Sequence, residues 1–172
     1  IRGSELSRLH ALARKMAMPM IDDVILPDSE ACRWYREHYG KGIFFPIVRD
    51  EQAFRMQCRE ALPVSLSLQE EYALRGKKVV LYVGRLAPEK NLECLVRAAA
   101  SLPEDTVLVI VGSGSLKEEL QHLAGRMQVS TIFPGWLEGV RLAAWYNLAD
   151  IFVLPSLVEP FGAVVNDAPA AG

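Results

Sequence analysis

Two carboxylates and a glycine lie close together near the end of the chain, at a spacing that suits binding of a hydroxylated anion. Glu159 precedes a turn, Gly162 lies within it, and Asp167 follows eight positions after Glu159 in a helix-like stretch. Carboxylates accept hydrogen bonds from sugar hydroxyls, and a glycine before a helix start lets an anion approach backbone N–H groups. The segment outlines a nucleotide-sugar site, although by itself it equally fits a surface helix with two solvated acids.

A second candidate group is cationic and follows an apolar run ending at residue 83. Gly84 would let a ligand approach the backbone, and Arg85 and Lys90 lie on either side of the same turn. Arginine offers a two-pronged donor to phosphate, and lysine offers a point charge. A diphosphate leaving group needs such charge while its bond to a sugar breaks. The alternative is an ordinary turn with two solvated cations.

Two further turns are rich in glycine. Gly112 and Gly114 flank a serine, and Gly135 precedes Trp136. Exposed N–H groups in the first turn suit a phosphate or base, and the Trp136 ring suits a base, although a tryptophan there also fits ordinary packing. Each turn is a weak signal when taken alone.

All of these turns follow short apolar runs that alternate with helical patterns. The predicted strands are residues 79–83, 106–111, 131–133 and 151–154, and the predicted helices between them are residues 91–102, 116–127 and 140–149, with Asn91 as an N-cap. Strands alternating with helices predict an α/β fold with a parallel sheet, and continuous apolar runs indicate burial on both faces. The candidate residues then meet at one edge, where open α/β sheets bind ligands.

The first half of the chain is less regular. A helix is predicted over residues 5–17, a short strand and turn over 23–29, a helix over 30–39 capped by Ser29 and ended by Gly40, and an apolar segment over 43–48. We expect three parts: the end of one domain at 1–47, a connector at 48–76, and a ligand-binding domain at 77–172. The last of these ends where another strand is expected, so we expect it to be truncated at its C-terminus.

Composition excludes several classes of protein. A net charge of −2 over 172 residues argues against a nucleic-acid binder. Three widely spaced cysteines without a CxxC pair or a Cys/His cluster predict neither a disulfide framework nor a metal site, and favour a cytoplasmic setting. No apolar run has the length of a membrane span. Residues 7–16 are basic and mildly amphipathic, which fits an ordinary helix first and peripheral membrane attachment as the alternative.

Together, the four turns resemble the donor half of retaining glycosyltransferases of family 4, also called group 1. The matching motifs are Gly84-Arg85…Glu89-Lys90-Asn91, Gly112-x-Gly114, Phe133-x-Gly135 and Ala149-Asp150 through Glu159-Pro160-Phe161-Gly162. The resemblance covers residues 77–172 strongly and the earlier stretch weakly. It implies the GT-B architecture, with a Rossmann-like C-terminal domain and a short remnant of the N-terminal domain.

The resemblance also implies roles for matching positions. Arg85 and Lys90 would hold the donor diphosphate, and Glu159 would contact the donor sugar as the first acid of the E-x7-E element. Phe161 and Gly162 would form the turn whose amides face the ligand. The reaction would transfer a sugar from a nucleotide diphosphate sugar with retention, without a bound metal or other cofactor. The acceptor, whether lipid, polysaccharide or small molecule, stays open.

The chain departs from the family pattern at its end. The second acid, which usually binds the ribose, is Asp167 rather than glutamate, and Pro169 occupies a position that is usually helix-compatible. Proline inside a helix costs about 3 kcal/mol, so either the helix is short or the site is altered. We expect no transfer by this stretch by itself. Two alternatives remain: a non-catalytic nucleotide-sugar-binding module, and a GT-B nucleotide-sugar epimerase.

Overall fold

The computed structural model describes residues 2–45, 50–159 and 162–171. The chain divides into two compact units, Ile1–Val48 and Arg49–Gly172. Among the described residues, no helix combines the length and the apolar character needed to cross a membrane.

The first unit contains two helices and two short strands. They are α1 (Arg2–Ala17), β1 (Ile25–Leu26), α2 (Ser29–Tyr39) and β2 (Ile43–Phe44), with a 3₁₀ turn at Met18–Met20. The strands pair in parallel, with α2 as the crossover between them. The predicted helix and strand positions in this region are therefore confirmed, except that residues 46–48 of the predicted apolar segment lie outside the described residues.

The N-cap of α2 corrects the sequence prediction. Ser29 is already helical, and the capping residue is Asp28, whose carboxylate accepts a hydrogen bond from the Ala31 N–H at 2.5 Å. The carboxylate one residue earlier reaches the third amide of the helix, which is the geometry an N-cap requires. Gly40 ends the helix in the left-handed conformation, as predicted, with φ of 68°.

The second unit contains six helices and four strands among its described residues. They are α3 (Glu51–Glu60), α4 (Leu62–Glu71), β3 (Lys78–Val83), α5 (Leu92–Ala99), β4 (Thr106–Val111), α6 (Lys117–Arg126), β5 (Thr131–Gly135), α7 (Gly139–Leu148), β6 (Ile151–Phe152) and α8 (Asp167–Ala171). Two 3₁₀ segments, Pro88–Lys90 and Ala163–Asn166, precede α5 and α8.

The four strands form one parallel sheet in the order β5-β4-β3-β6. Val80 of β3 is in register with Leu108 of β4 on one side and with Ile151 of β6 on the other. The chain therefore runs outward from β3 to β5 and then returns to the opposite side of β3. This reversal is a topological switch point, and open α/β sheets bind ligands at such a point, outside the carboxyl ends of the strands.

Both faces of the sheet are buried. On one face, Val79, Leu81 and Val83 pack in a core with Trp145 and Tyr146 of α7 and with residues of α3, α4 and α8. On the other face, side chains that alternate with these, such as Tyr82, pack against α5 and α6. Adjacent residues of a strand point to opposite faces of the sheet, so each strand contributes to both cores. The predicted α/β fold, a parallel sheet with helices on both faces, is confirmed.

Within the stretch predicted as a connector, residues 48–76, α3 and α4 belong to the core of the second unit. Phe54 and Cys58 of α3 and Ala61 after it are buried. The Asn147 side chain of α7 donates hydrogen bonds to the Cys58 carbonyl at 2.7 Å and to the Ser65 hydroxyl at 3.2 Å. These contacts fix α3 and α4 against α7, and therefore against the sheet.

Three boundaries near the carboxyl edge differ from prediction, and one of them is the end of β5, which extends two residues further, to Gly135. Asn91 is not a side-chain N-cap: it has a left-handed φ of 54°, and its amide donates to the Pro155 carbonyl at 3.3 Å instead. β6 ends at Phe152, two residues earlier than predicted, and the chain leaves the sheet there. Asn91, before α5, and Pro155, after β6, therefore lie in loops that contact each other.

Pro169 does not interrupt a helix. It is the third residue of α8, within the first turn, where a backbone N–H has no acceptor inside the helix. Its missing N–H therefore costs α8 no hydrogen bond within the described residues.

Candidate functional site

The turn after β3 and the loop after β6 lie against each other at the switch point. The Glu89 carbonyl accepts a hydrogen bond from the Leu157 N–H at 2.9 Å, and Asn91 bonds to the Pro155 carbonyl. Backbone and side-chain contacts thus hold the cationic turn beside the acidic segment, although the two are far apart in the sequence.

Lys90 and Glu159 form an ion pair across this contact. The Lys90 ammonium lies 2.6 Å from the Glu159 carboxylate, and the two side chains are 9% and 26% exposed. The same carboxylate oxygen accepts a hydrogen bond from the Ser156 hydroxyl at 3.0 Å, and the other accepts from the Gly162 N–H at 3.1 Å. The Lys90 hydrogen bond, aided by Ser156 and Gly162 and opposed by burial, holds the pKa of Glu159 below its usual value.

Arg85 is positioned through its backbone and leaves its side chain at the surface. The buried Tyr82 hydroxyl donates to the Arg85 carbonyl at 2.9 Å. Burial, and then the negative charge of Glu159, raise the pKa of Tyr82, so the hydroxyl keeps its proton and remains a donor. The Arg85 guanidinium is 74% exposed and lies 2.7 Å from the Glu89 carboxylate. It is accessible to a ligand at the carboxyl edge.

Two glycines after β4 are required by the packing of neighbouring turns. A Cβ on Gly112 would overlap the carbonyl oxygen of Gly84, and a Cβ on Gly114 would lie within 2.7 Å of the backbone nitrogen of Leu86. In the sequence these two glycines indicate a turn whose exposed N–H groups suit a phosphate or a base. The structure supplies a different reason for them, because the backbones of adjacent turns leave no room for a side chain.

A cleft of about 580 Å³ lies along this edge of the sheet. Five residues predicted from the sequence line it: Gly84, Arg85, Gly112, Trp136 and Asp167. Further lining residues, not predicted from the sequence, are Phe54, Gln57, Ser113, Glu138, Leu142 and Val164. Little in the sequence indicates that Phe54 and Gln57 line a site, because both lie in the stretch predicted as a connector. Their contribution depends on how α3 packs against α7.

The remaining predicted residues lie elsewhere. Lys90, Glu159 and Gly162 are grouped at the switch point, in the turn and loop beside the cleft. Gly114 packs on Leu86, and Gly135 accepts the Gly112 N–H at 2.8 Å through its carbonyl. Phe161 lies outside the described residues, so its predicted role stays a prediction.

Asp167 is the first residue of α8 and is only 1% exposed. It lines the cleft, and its charge is felt by Cys58, whose pKa is raised first by burial and then by this carboxylate. The second acid of the segment thus lies inside the fold rather than on a solvated helix face.

The site has no obvious set of metal ligands. Within residues 2–45, 50–159 and 162–171, no group of three histidine, cysteine, aspartate or glutamate side chains is arranged to hold a metal ion. Positive charge at the switch point is supplied by Arg85 and Lys90.

Comparison with known proteins identifies relatives along most of the chain. A GDP-mannose-dependent alpha-mannosyltransferase of Mycolicibacterium smegmatis is 34% identical over 169 residues, which cover 95% of this chain and 39% of that protein. A D-inositol 3-phosphate glycosyltransferase of Catenulispora acidiphila is 37% identical over 158 residues, covering 84% of this chain and 36% of its own length. The chain spans about a third of the length of the curated relatives it matches.

Solved structures share the fold. The crystal structure of Anabaena HepE in complex with UDP and glucose superposes with a TM-score of 0.75 at 18% identity, covering 94% of this chain and 45% of that one. The profile of the family described as glycosyl transferases group 1 matches residues 67–172, which include both turns of the switch point and most of the cleft. The chain therefore belongs to the group 1 glycosyltransferases.

Proposed function

We propose that this chain is the donor-binding part of a retaining glycosyltransferase that takes a sugar from a nucleotide diphosphate sugar. The observation that carries the proposal is the meeting of Lys90 and Glu159 at the switch point, beside a cleft of about 580 Å³. A cation for phosphate and an acid for sugar hydroxyls are thereby placed side by side. The names of relatives agree, since one is named for GDP-mannose and HepE was solved with UDP and glucose.

The proposed donor lies along the carboxyl edge of the sheet. Its nucleoside occupies the cleft, and the ribose hydroxyls bond to the carboxylate of Asp167. Its diphosphate lies at the turn after β3, between the guanidinium of Arg85 and the ammonium of Lys90. Its sugar lies against Glu159. We base this arrangement on the positions of the residues: Asp167 and Arg85 line the cleft, and Lys90 and Glu159 pair at the switch point beside it.

The chemistry asked of these residues is electrostatic. As the bond from the anomeric carbon to the diphosphate breaks, negative charge grows on the leaving oxygen, and fixed cations in a partly dry site stabilise it. Arg85 and Lys90 supply this charge, so we propose a reaction that needs no bound metal. Glu159 accepts a hydrogen bond from the sugar and orients it.

The acceptor would be bound mainly by the rest of the enzyme, as the family resemblance implies. Catalysis needs donor and acceptor held together, so we expect this chain to bind donors without transferring the sugar. The proposed acceptor class is a lipid, a polysaccharide or a small molecule.

Calorimetric titration with UDP-, GDP- and ADP-glucose tests the proposal. At least one should bind tighter than millimolar, with no change on adding EDTA. Arg85→Ala and Lys90→Ala should each weaken binding roughly tenfold or more, the effect of losing a hydrogen bond to a charged group. Arg97→Ala is the matched control, because Arg97 is an exposed arginine of α5 paired with Glu93. Absence of binding by all three donors, with no effect of the variants, would contradict the proposal.

A further inference from the structure

One carboxylate that lines the cleft has no role in the proposed donor chemistry. Glu138 lines the cleft at the start of α7, next to the turn that presents Trp136. No hydrogen bond or ion pair joins the Glu138 side chain to any residue that the structure describes. The carboxylate is therefore available to a ligand in the cleft.

Two other side chains that line the same cleft are suited to a base without distinguishing one base from another. The Trp136 ring is 65% exposed and offers a stacking surface, which every base can use. Gln57 of α3 offers both donors and an acceptor through its amide, so it can pair with any base edge. Of these three side chains, Glu138 alone distinguishes one base from another, because an ionised carboxylate can only accept hydrogen bonds.

An ionised carboxylate presents two acceptors side by side, and the bases differ in how they match it. Guanine places two donors together, the ring N1–H and the exocyclic amino group. Adenine and cytosine place their amino donor beside an acceptor nitrogen, and uracil places its single N–H between two carbonyl acceptors. Only guanine satisfies both carboxylate oxygens without placing an acceptor against them.

We propose that Glu138 selects guanine, so that the donor is a GDP-sugar. The inference rests on the proposed donor site and adds the identity of the base to it. In the bound state the carboxylate of Glu138 accepts hydrogen bonds from N1–H and from the amino group, while the base stacks on Trp136.

Calorimetric titration of the 172-residue chain with GDP, IDP, UDP and ADP tests the inference. GDP should bind roughly 5- to 100-fold tighter than UDP or ADP, the range for one two-pronged base contact. IDP lacks the amino group and should fall between GDP and ADP. Glu138→Gln should remove most of the GDP preference while leaving UDP affinity within about twofold. Glu118→Gln, an exposed glutamate of α6, is the matched control and should change nothing.

The outcomes separate this inference from the donor site itself. If UDP or ADP binds as tightly as GDP, or if Glu138→Gln weakens all nucleotides equally, guanine selection is wrong. In that case, loss of binding in Arg85→Ala would still support the donor site. If no nucleoside diphosphate binds at all, both proposals are overturned.

Discussion

The side chains of Lys90 and Glu159 are separated by 69 positions in the sequence, yet their charged atoms lie 2.6 Å apart. The pair joins the turn after β3 to the loop after β6, and Lys90 is nearly fully buried. Glu159 thus neutralises the cation that we assign to the donor diphosphate. A ligand phosphate that binds the Lys90 ammonium must therefore share it with the Glu159 carboxylate or displace that carboxylate. In the proposed site, phosphate binding by Lys90 and sugar binding by Glu159 are thus coupled.

The ion pair should contribute measurably to the stability of the fold. Lys90→Ala and Glu159→Ala each leave a partly buried charge without its partner, and each should lower the free energy of unfolding by about 2 kcal/mol. The double variant should lose less free energy of unfolding than the two single variants lose together. The difference, measured by urea unfolding, should be at least about 1 kcal/mol.

The exposed pair of Glu93 and Arg97 serves as the control for that cycle. It has a similar separation of 2.7 Å, with side chains 58% and 56% exposed. Its coupling should stay below about 0.5 kcal/mol, because solvent screens it. Equal coupling in the two pairs would show that burial at the switch point adds nothing.

The pKa of Glu159 makes this contribution dependent on pH. Because the carboxyl has a lowered pKa in the folded protein, its contribution is full above the ordinary value of 4.5 and is lost as pH falls through the folded pKa. In urea unfolding, the stability difference between the natural chain and Glu159→Gln should be constant near neutral pH and shrink in acid. A difference that grows below 4.5 would contradict the assigned direction.

The Tyr82 hydroxyl should position Arg85. Tyr82→Phe removes the hydrogen bond to the Arg85 carbonyl from a buried site and should lower the free energy of unfolding by about 1 kcal/mol. It should also weaken nucleotide binding while leaving the relative affinities of different nucleotides unchanged, because it acts through the cationic turn. Unchanged affinity at reduced stability would limit Tyr82 to a role in folding.

Gly112 should not tolerate a side chain. Gly112→Ala places a Cβ on the Gly84 carbonyl oxygen, and the backbone of both turns must shift, so we expect a loss of about 3 kcal/mol in thermal or urea unfolding. Gly125→Ala on α6 is the matched control, since a Cβ there meets no atom within 4 Å. It should stabilise the protein by about 0.5–1 kcal/mol. A stable Gly112→Ala protein would show that the two turns do not pack as described.

Asp167 should recognise the ribose. Asp167→Asn keeps the size of the side chain and should weaken GDP binding roughly tenfold by removing a charged acceptor. The same variant should bind 2′,3′-dideoxy-GDP, which lacks the ribose hydroxyls, as well as the natural chain does. An equal loss for both ligands would assign Asp167 to the structure of the cleft rather than to the sugar.

Much of the fold could be predicted because its signals are local. The β4 strand, Thr106–Val111, is an uninterrupted β-branched and apolar run, and its ends were predicted correctly. The helices between strands were predicted to within a few residues from their apolar periodicity. The stretch at 48–76 was harder, because α3 is mostly exposed and polar and only Phe54 and Cys58 mark its buried side.

Residue types and their order along the chain already determined that cations follow β3, that two acids flank the last turn, and that both belong at one edge of a parallel sheet. These follow from chain-local chemistry and from the direction of parallel strands. Only the tertiary structure decided that Lys90 pairs with Glu159 and that α3 forms a wall of the cleft. It also decided that the Gly84 backbone leaves no room for a side chain at position 112. Each of these depends on which elements become neighbours, and that is set by the return of β6 to the side of β3 and by the packing of α3 on α7.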